Sequence, residues 1–520
     1  MCAQRKKAVV SRGTRPSDGS ASTSATGRSL LAHFRVPLLL AGAVLALASY
    51  LVSVPSNPLG FYTDESSIAY NAYTISQSGS DEYGVRWPLY FRAFDEYKNP
   101  TYIYLLAGLF KIFGPSIWLA RLLSGISGFG AVLLLGVLAR QMTGEDRIGV
   151  VVALTAMMTP WLFEISRLVF EVALFPLALV LFLLALYRAQ SRTAWTLLDT
   201  LWVASTLGLM TYTYTIGRLL GSLLALGLAI FGRRSRWTRI GQTWIAYGIL
   251  LVPLLVFSQR HPGALTGRFY AVSYIQPESG ISEIAGEFLK RYLDNLSLRS
   301  LLLIGDVNIR HHVPGMGSML AATMFLGLVG AVLVLWSRWR DPWWQFILYG
   351  LAVSVVPAAL TARSFHTLRL IAFPIFLLVL TVPALTWLGG SGKGLKAARP
   401  GLYVLLVLAL LQGVVFQWQF YRDGPKRGHA FNRGFPEAFA AATALQSRPI
   451  YLIAGPGKYT YIHAYWYGTL EGMDASEFVS LSAGERPPAQ SLVIDDMSGE
   501  PCARCQHILM RPPYYVYRVL

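Results

Sequence analysis

Long apolar runs with few charged residues recur along most of this chain, and they limit its possible folds more than any other feature. A helix that crosses a bilayer needs about 20 predominantly apolar residues. About eleven runs of this kind are present. They span residues 35–54, 117–139, 148–163, 168–187, 195–213, 216–232, 240–258, 318–336, 342–361, 367–388 and 400–420. The pattern predicts a mainly α-helical, polytopic membrane bundle.

The charge content supports this class and excludes others. Charged residues make up 14% of the 520 residues, whereas soluble domains contain about a quarter. This deficit excludes an ordinary cytosolic enzyme and a disordered regulator. The net charge of +18 could indicate nucleic acid or an anionic membrane as partner. Three cysteines are too few for a disulfide scaffold.

The positions of the basic residues favour the membrane over nucleic acid. Lys and Arg cluster before the first run and then at every second loop, provided that 99–114 is a helix on the membrane surface and not a span. Basic loops remain cytoplasmic. We therefore expect a multi-pass protein of the inner or plasma membrane, with its N-terminus in the cytoplasm and its C-terminus outside.

This topology divides the chain into three parts. Residues 1–34 are rich in Ser, Thr and Gly and are predicted to be a disordered cytoplasmic tail. Residues 35–420 form the transmembrane domain, with outer loops at 55–116 and 259–317. Residues 421–520 form a small extracytoplasmic α/β domain.

The predicted elements of that last domain are one helix and three strands. They are Pro436–Gln446, Ile450–Ala454, Ser491–Asp496 and Tyr514–Val519. Cys502 and Cys505 lie in the same part of the chain. A redox site, a local disulfide and two unrelated thiols are all compatible with their spacing.

Two adjacent carboxylates, Asp64 and Glu65, follow the first apolar run. Ionisable groups at membrane depth cost roughly 2.5–3.5 kcal/mol on insertion scales and indicate function by default. One carboxylate could face a cavity while the other holds a helix end or a cation. The alternative is that Asp64 caps a short helix over 66–76.

A set of basic residues is predicted on the same outer side, against the topology bias. Its members are Arg121, Arg167, Arg218, Arg310, Arg363 and Arg369, together with His311, His312 and His366. Arginine binds phosphate oxygens through a planar fork, so a phosphate group is the expected partner. The alternative is pairing with nearby carboxylates. Adjacent histidines rarely reach one ion together, so we expect no metal site, and the sequence does not support a divalent cation.

Outer carboxylates and outer cations together suit group transfer from a lipid-phosphate carrier. The cations would stabilise the leaving phosphate, and a carboxylate would take the proton of the acceptor hydroxyl. No nucleotide-binding motif is found, so an activated lipid would supply the energy. Eight tyrosines between positions 62 and 104 form an interfacial belt or stack on sugar rings.

Short motifs in this order resemble a known family. They are Asp64-Glu65, Lys98-Asn99-Pro100-Thr101-Tyr102-Ile103-Tyr104, Phe113-Gly114, Ala120-Arg121-Leu122, Glu171, Gly305-Asp306-Val307-Asn308-Ile309-Arg310-His311 and His366-Thr367-Leu368-Arg369. They resemble the GT-C superfamily of integral membrane glycosyltransferases. The bacterial branch near the protein O-mannosyltransferases and the lipid A aminoarabinose transferase is most similar. The chain departs from the family pattern in carrying Glu171 where Asp is frequent and a single Pro100.

The resemblance implies inverting transfer of a sugar from a polyprenyl-phosphate donor to an extracytoplasmic glycolipid, glycan or protein. Asp64 would be the general base, with Glu65 and Glu171 in support. The donor phosphate would contact Arg121, Arg310, His311, Arg369 and His366. Substrate-binding residues would be Lys98, Tyr102, Asp306 and Asn308. No cofactor is implied.

Two other functions fit a polytopic chain with polar outer loops. A transporter or lipid flippase should show repeated halves and charges near the midplane, and neither is found in the sequence. A polymerase or ligase of the O-antigen type would also use lipid-linked sugars, but it would place its key residues in later, larger loops.

Overall fold

The computed structural model describes residues 42, 44, 46–94, 96–233, 235–276, 278–390, 399–482, 485–496, 502 and 505–520. The predicted tail 1–34 and the first part of the predicted span 35–54 lie outside these residues. The chain divides into the units Met1–Ser49 and Tyr50–Leu520. All elements named below belong to the second unit.

Helices dominate this unit. In chain order they are α1 Thr63–Ser78, α2 Pro100–Phe113, α3 Ile117–Thr143, α4 Asp146–Met158, α5 Pro160–Ile165, α6 Phe175–Ser191, α7 Leu197–Thr213, α8 Ile216–Gly227, α9 Trp237–Arg260, α10 Gly267–Val272, α11 Ile281–Asp294, α12 Ala321–Leu333, α13 Pro342–Val353, α14 Val356–Ala359, α15 Phe373–Gly389, α16 Arg399–Asp423, α17 Phe435–Thr443 and α18 Thr460–Leu470. The predicted surface segment 99–114 is helical, as α2.

Within the described ranges, six helical stretches are long and apolar enough to cross a membrane. They are Ile117–Thr143, Glu171–Ser191, Trp237–Arg260, Ala321–Arg338, Pro342–Ala359 and Arg399–Phe431. Three shorter apolar helices are Pro100–Phe113, Ile216–Phe231 and Phe373–Gly389. The helical membrane architecture is therefore confirmed, while the count of about eleven spans stays a prediction.

The predicted span 148–163 is interrupted in the structure. The α4 helix ends at Met158, and Thr159 adopts an extended conformation with φ −67° and ψ 117°. Pro160 then begins α5. A residue that precedes proline is disfavoured in helical geometry, which explains the break.

Capping and close packing fix the ends and contacts of the other helices. The Ser116 hydroxyl accepts a hydrogen bond from the Leu119 N–H at 3.1 Å, and α3 ends at Gly144 in a left-handed conformation. The α12 and α15 helices pack at Gly330, where an added Cβ would lie 1.6 Å from the Leu380 carbonyl oxygen. Only glycine permits that approach.

Exposed apolar surfaces are evident on α9 and α16. Only 17% of the most apolar window of each helix is buried. Exposed side chains on α9 include Ile245, Ile249 and Leu255. Such faces would be unfavourable in water and are suited to hydrocarbon.

Two sheets complete the described unit. Strands β1 Phe91–Ala93 and β2 Glu96–Lys98 form an antiparallel hairpin in the first loop. The C-terminal sheet contains β3 Ile450–Ala454, β4 Phe478–Ser480, β5 Leu492–Asp496, β6 Cys505–Arg511 and β7 Tyr514–Val519, in the order β4-β3-β5-β7-β6.

The C-terminal sheet is mixed. Strand β3 runs parallel to β4 and β5, whereas β7 pairs antiparallel with β5 and β6. The sequence predicted β3, β5 and β7 within one residue of their observed ends. Of the three interpretations of the cysteines, the structure shows the local disulfide, Cys502–Cys505.

Candidate active site

The central cavity lies between the N-terminal end of α1, the β1–β2 hairpin and the loops that precede α6, α12 and α15. Its volume is about 620 Å³. Six basic side chains and three carboxylates line it among the described residues. They are Asp64, Glu96, Glu171, Lys98, Arg218, Arg268, Arg310, Arg363 and Arg369. The excess of positive charge suits an anionic ligand.

Asp64 lies in the first turn of α1 and faces the central cavity. Its carboxylate accepts a hydrogen bond of 2.6 Å from the Lys98 ammonium at the end of β2. The side chains of Asp64 and Lys98 are 33% and 7% exposed. Burial alone would raise the pKa of Asp64, but the adjacent Lys98 cation outweighs burial and holds that pKa below its usual value. Asp64 is therefore ionised at neutral pH.

Glu65 has a different environment, although it is the next residue. Its side chain is fully buried in an ion pair with Arg121, at 2.9 Å. The same carboxylate accepts hydrogen bonds from the backbone N–H groups of Tyr62 and Val169. Glu65 thus joins the start of α1 to the segment that leads to Glu171.

Arg121 does not line the central cavity. It is fully buried, and besides Glu65 it donates to the carbonyl oxygens of Val54, Pro55, Pro58 and Gly60. The predicted contact of Arg121 with a donor phosphate does not fit this position, because the guanidinium already donates to these groups. The residue fixes the loop before α1.

Two predicted substrate-binding residues also lie behind the cavity lining. Tyr102 is fully buried and donates to the Ala120 carbonyl oxygen at 2.8 Å. Asp306 is 4% exposed and accepts from both the N–H and the hydroxyl of Thr367. Both support neighbouring segments and neither lines the cavity, whereas Asn308 does.

Glu171 reaches the cavity wall but is held by Asn99. Its carboxylate accepts hydrogen bonds from the Asn99 N–H and side-chain amide. The Asn99 side-chain oxygen in turn accepts from Arg218 at 3.1 Å. This chain of contacts gives Glu171 a fixed orientation.

Four guanidinium groups on the cavity lack a carboxylate partner within the described part of the chain: Arg218, Arg310, Arg363 and Arg369. Arg310 lies 4.3 Å from the centre of the Tyr62 ring. Arg369 donates to the Thr361 hydroxyl at 2.8 Å. The alternative of pairing with carboxylates therefore holds for Arg121 but not for these four.

Two of the histidines line the same cavity and are uncharged at neutral pH. Burial lowers the pKa of His366 to about 3, and burial also lowers the pKa of His311 although Asp306 opposes the shift. One ligand atom each from Asp306, His311 and His366 lies within 4.8 Å of the others, close enough to share an ion. Thr367 and His311 already donate to Asp306, and the charges of Arg363 and Arg369 disfavour a cation there.

The sequence analysis missed two charged residues of the site, Arg268 and Glu96. They form an ion pair at 3.0 Å, and Glu96 also lies 3.8 Å from Lys98. Arg268 belongs to the predicted outer loop 259–317, so the pattern of basic residues on the predicted outer side, which identified the other arginines, could have identified Arg268 too. No comparable feature of the sequence distinguishes Glu96 from other carboxylates.

Known proteins resemble this chain in part of the sequence and in the fold. The sequence model of a family described as dolichyl-phosphate-mannose-protein mannosyltransferase matches residues 97–260. Two crystal structures of ArnT from Cupriavidus metallidurans have the same architecture. The structure bound to undecaprenyl phosphate has a TM-score of 0.59 at 11% identity, over 93% of this chain and 98% of that chain. The apo structure has a TM-score of 0.58 at 13% identity, over 94% and 98%.

The chain shares the fold of the ArnT structures. The predicted resemblance to the GT-C superfamily is thereby confirmed, and so is a multi-pass membrane architecture. No curated protein matches the chain by sequence. The residues matched by the family model, 97–260, include Lys98 and Glu171 of the central cavity.

Proposed function

We propose that this protein is a membrane glycosyltransferase that moves a hexose or pentose from a polyprenyl-phosphate donor to an extracytoplasmic acceptor, with inversion at the anomeric carbon. The observation that carries the proposal is the central cavity, whose lining combines the ionised Asp64 carboxylate with four guanidinium groups that have no carboxylate partner among the described residues. The ArnT structure bound to undecaprenyl phosphate supports the choice of donor.

The reaction needs one base and one anion-binding group. The acceptor hydroxyl oxygen would bond to the anomeric carbon while the bond from that carbon to the phosphate oxygen breaks. The electron pair leaves with the phosphate, and the hydroxyl proton passes to Asp64. Arg310, Arg363 and Arg369 would stabilise the developing phosphate charge, since charge-assisted hydrogen bonds are the stronger kind.

The orientation of the chain follows from the basic loops. Helices α1 and α18 pack together, so the first loop and the C-terminal sheet lie on one side. We place that side outside the cell, with the N-terminus in the cytoplasm, the transmembrane domain at 35–420 and an extracytoplasmic domain at 421–520. A lipid carrier in the outer leaflet could then present its phosphate to the central cavity.

Asp64→Asn tests the function in cells. Mass spectrometry of surface glycolipids and glycoproteins would compare cells with the wild-type chain, the variant and no chain. We expect one glycan modification to depend on the wild-type chain and to fall about 10²–10⁴-fold with Asp64→Asn, the usual contribution of a general base. The control is Glu283→Gln, an exposed carboxylate on α11.

Two outcomes would contradict the proposal. Full modification by an expressed Asp64→Asn protein would remove Asp64 as the base. Movement of labelled polyprenyl-phosphate sugar across vesicles by the purified protein, with no glycan product, would favour a flippase.

A further inference from the structure

A second cavity lies on the other side of the β1–β2 hairpin from the central cavity. Its volume is about 370 Å³. Five aromatic rings, one carboxyl group and one guanidinium line it. We call it the aromatic cavity. It lies between the first outer loop and the C-terminal helix α18, two segments about 370 residues apart in the sequence.

The hairpin contributes to both cavities. Arg92 and Phe94 line the aromatic cavity, whereas Glu96, Tyr97 and Lys98 line the central cavity. The Lys98 ammonium lies 5.4 Å from the centre of the Phe94 ring. The side chain that contacts Asp64 is therefore in contact with the wall of the aromatic cavity.

The aromatic rings of this cavity are held at fixed angles. The centres of the Phe94 and Tyr459 rings are 4.3 Å apart, and Tyr461 meets Tyr465 edge-to-face at 5.4 Å. The Arg92 guanidinium lies 5.3 Å from the centre of the Tyr83 ring. Flat apolar faces beside a few polar groups are typical of small-molecule sites.

Glu82 supplies the carboxyl group, and among the described residues only one of its two oxygens accepts a hydrogen bond of ordinary geometry. Its Oε1 accepts from the Asn71 amide at 3.2 Å, and the Asn71 oxygen accepts from the Glu82 N–H at 3.1 Å. The other oxygen, Oε2, is buried and has no hydrogen-bond partner of ordinary geometry in the described residues. Burial raises the pKa of Glu82 to about 7, although the nearby Tyr461 hydroxyl lowers this pKa, so this carboxyl can donate as well as accept near neutral pH.

We propose that the aromatic cavity binds an uncharged sugar ring of the acceptor. A pyranose or furanose ring offers apolar C–H faces for the aromatic rings and hydroxyl groups for Glu82 and Arg92. One acid and one base leave little net charge, which suits a neutral ligand better than a phosphate. The volume lies near the lower end of the usual range of about 300–1,000 Å³ for ligand sites. The acceptor role rests on the proposed function, while sugar binding does not.

Saturation-transfer NMR on the full-length protein in nanodiscs tests this site. The probes are the methyl glycosides of glucose, mannose, galactose, N-acetylglucosamine and arabinose. We expect at least one of these glycosides to bind the wild-type protein. The Tyr461→Ala and Arg92→Ala variants should bind the same glycoside at least about tenfold more weakly. Arg92 is exposed, so its variant should fold even if Tyr461→Ala does not. Tyr403→Ala, at a 65% exposed tyrosine on α16, is the matched control.

The outcomes separate this site from the central cavity. Failure of every probe to bind, or equal binding by wild-type and Arg92→Ala proteins, would overturn the proposal. Loss of binding in Arg369→Ala with full binding in Arg92→Ala would also overturn it, because the sugar would then occupy the central cavity. Binding of undecaprenyl phosphate, measured in parallel, should persist in Arg92→Ala. If the wild-type protein did not bind undecaprenyl phosphate, that result would count against the proposed function and not against sugar binding in the aromatic cavity.

Discussion

The Asp64 carboxylate and the Lys98 ammonium form an ion pair of 2.6 Å on the wall of the central cavity. The lysine is almost fully buried, so solvent screens the pair little on that side. Lys98 thereby keeps the carboxylate ionised, and it also makes Asp64 a weaker base than an isolated buried aspartate would be. A second anion bound in the cavity would compete with Asp64 for the Lys98 ammonium.

Lys98→Met should move the acid limb of the pH–rate profile to higher pH. Without the cation, burial is the larger influence and raises the pKa of Asp64, so the base form is lost at a higher pH. Rates of sugar transfer by the two proteins across a pH series would show the shift. Lys290→Met, at an exposed lysine of α11, should leave the limb in place. An acid limb that does not move in Lys98→Met would mean that another group titrates.

Arg310→Ala, Arg363→Ala and Arg369→Ala should each weaken the binding of undecaprenyl phosphate about tenfold or more. Hydrogen bonds to charged groups contribute about 1.5–3 kcal/mol. Binding to purified protein would be measured at low and high salt, because screening should reduce the wild-type affinity too. Arg299→Ala removes an exposed arginine from the segment that also contains Arg310, and this variant should bind undecaprenyl phosphate normally. Wild-type affinity in all three variants would refute their contact with the phosphate.

Arg121→Leu or Glu65→Leu should destabilise the protein by about 3–5 kcal/mol, the usual cost of leaving one buried charge unpaired. Denaturant unfolding of the detergent-solubilised protein would measure it. The double variant should lose less than the sum of the two losses, since neither charge is then left alone. Arg140→Leu breaks an exposed ion pair with Asp146 and should cost less than about 1 kcal/mol. Equal effects from the buried and exposed pairs would contradict the structural role given to Arg121.

Stability should decrease as the pH rises from about 4.5 to about 7 because of Glu82. Burial raises its pKa in the folded protein to about 7 from an ordinary 4.5. The folded chain thus keeps this proton in a range where the unfolded chain has lost it, and stability falls as pH rises. The charge of Asp81 raises the pKa of Glu82 further, whereas the charge of Lys98 lowers it. Melting temperatures across this range should depend less on pH in Glu82→Gln, and an identical dependence would contradict the buried position.

The sequence predicted the local features of this protein well. Apolar runs and strand patterns are local signals, so α3, α9 and β3 lie near their predicted bounds. The outer charges predicted the site because positive residues outside oppose the topology bias. Asp64, Lys98, Glu171, Arg310 and Arg369 do line one cavity, although their roles stay predictions.

The wrong placements concern partners that are distant in the sequence. The motif that contains Arg121 predicts the side of the membrane on which this residue lies. It does not predict that the guanidinium donates to Glu65, which is 56 residues away in the sequence. Tyr102 was likewise assigned from its motif, and its partner is the backbone of α3. The aromatic cavity was not predicted, because Tyr461 meets the first loop only in the folded chain.

The contacts of Arg121 have a mechanical consequence. One side chain of α3 holds the carbonyl groups of the preceding loop and, through Glu65, the first turn of α1. The loop before α1, the first turn of α1 and the α3 helix should therefore move as one rigid body. In a thicker or thinner bilayer, Asp64 should rise or sink together with α3 and keep its distance from that helix.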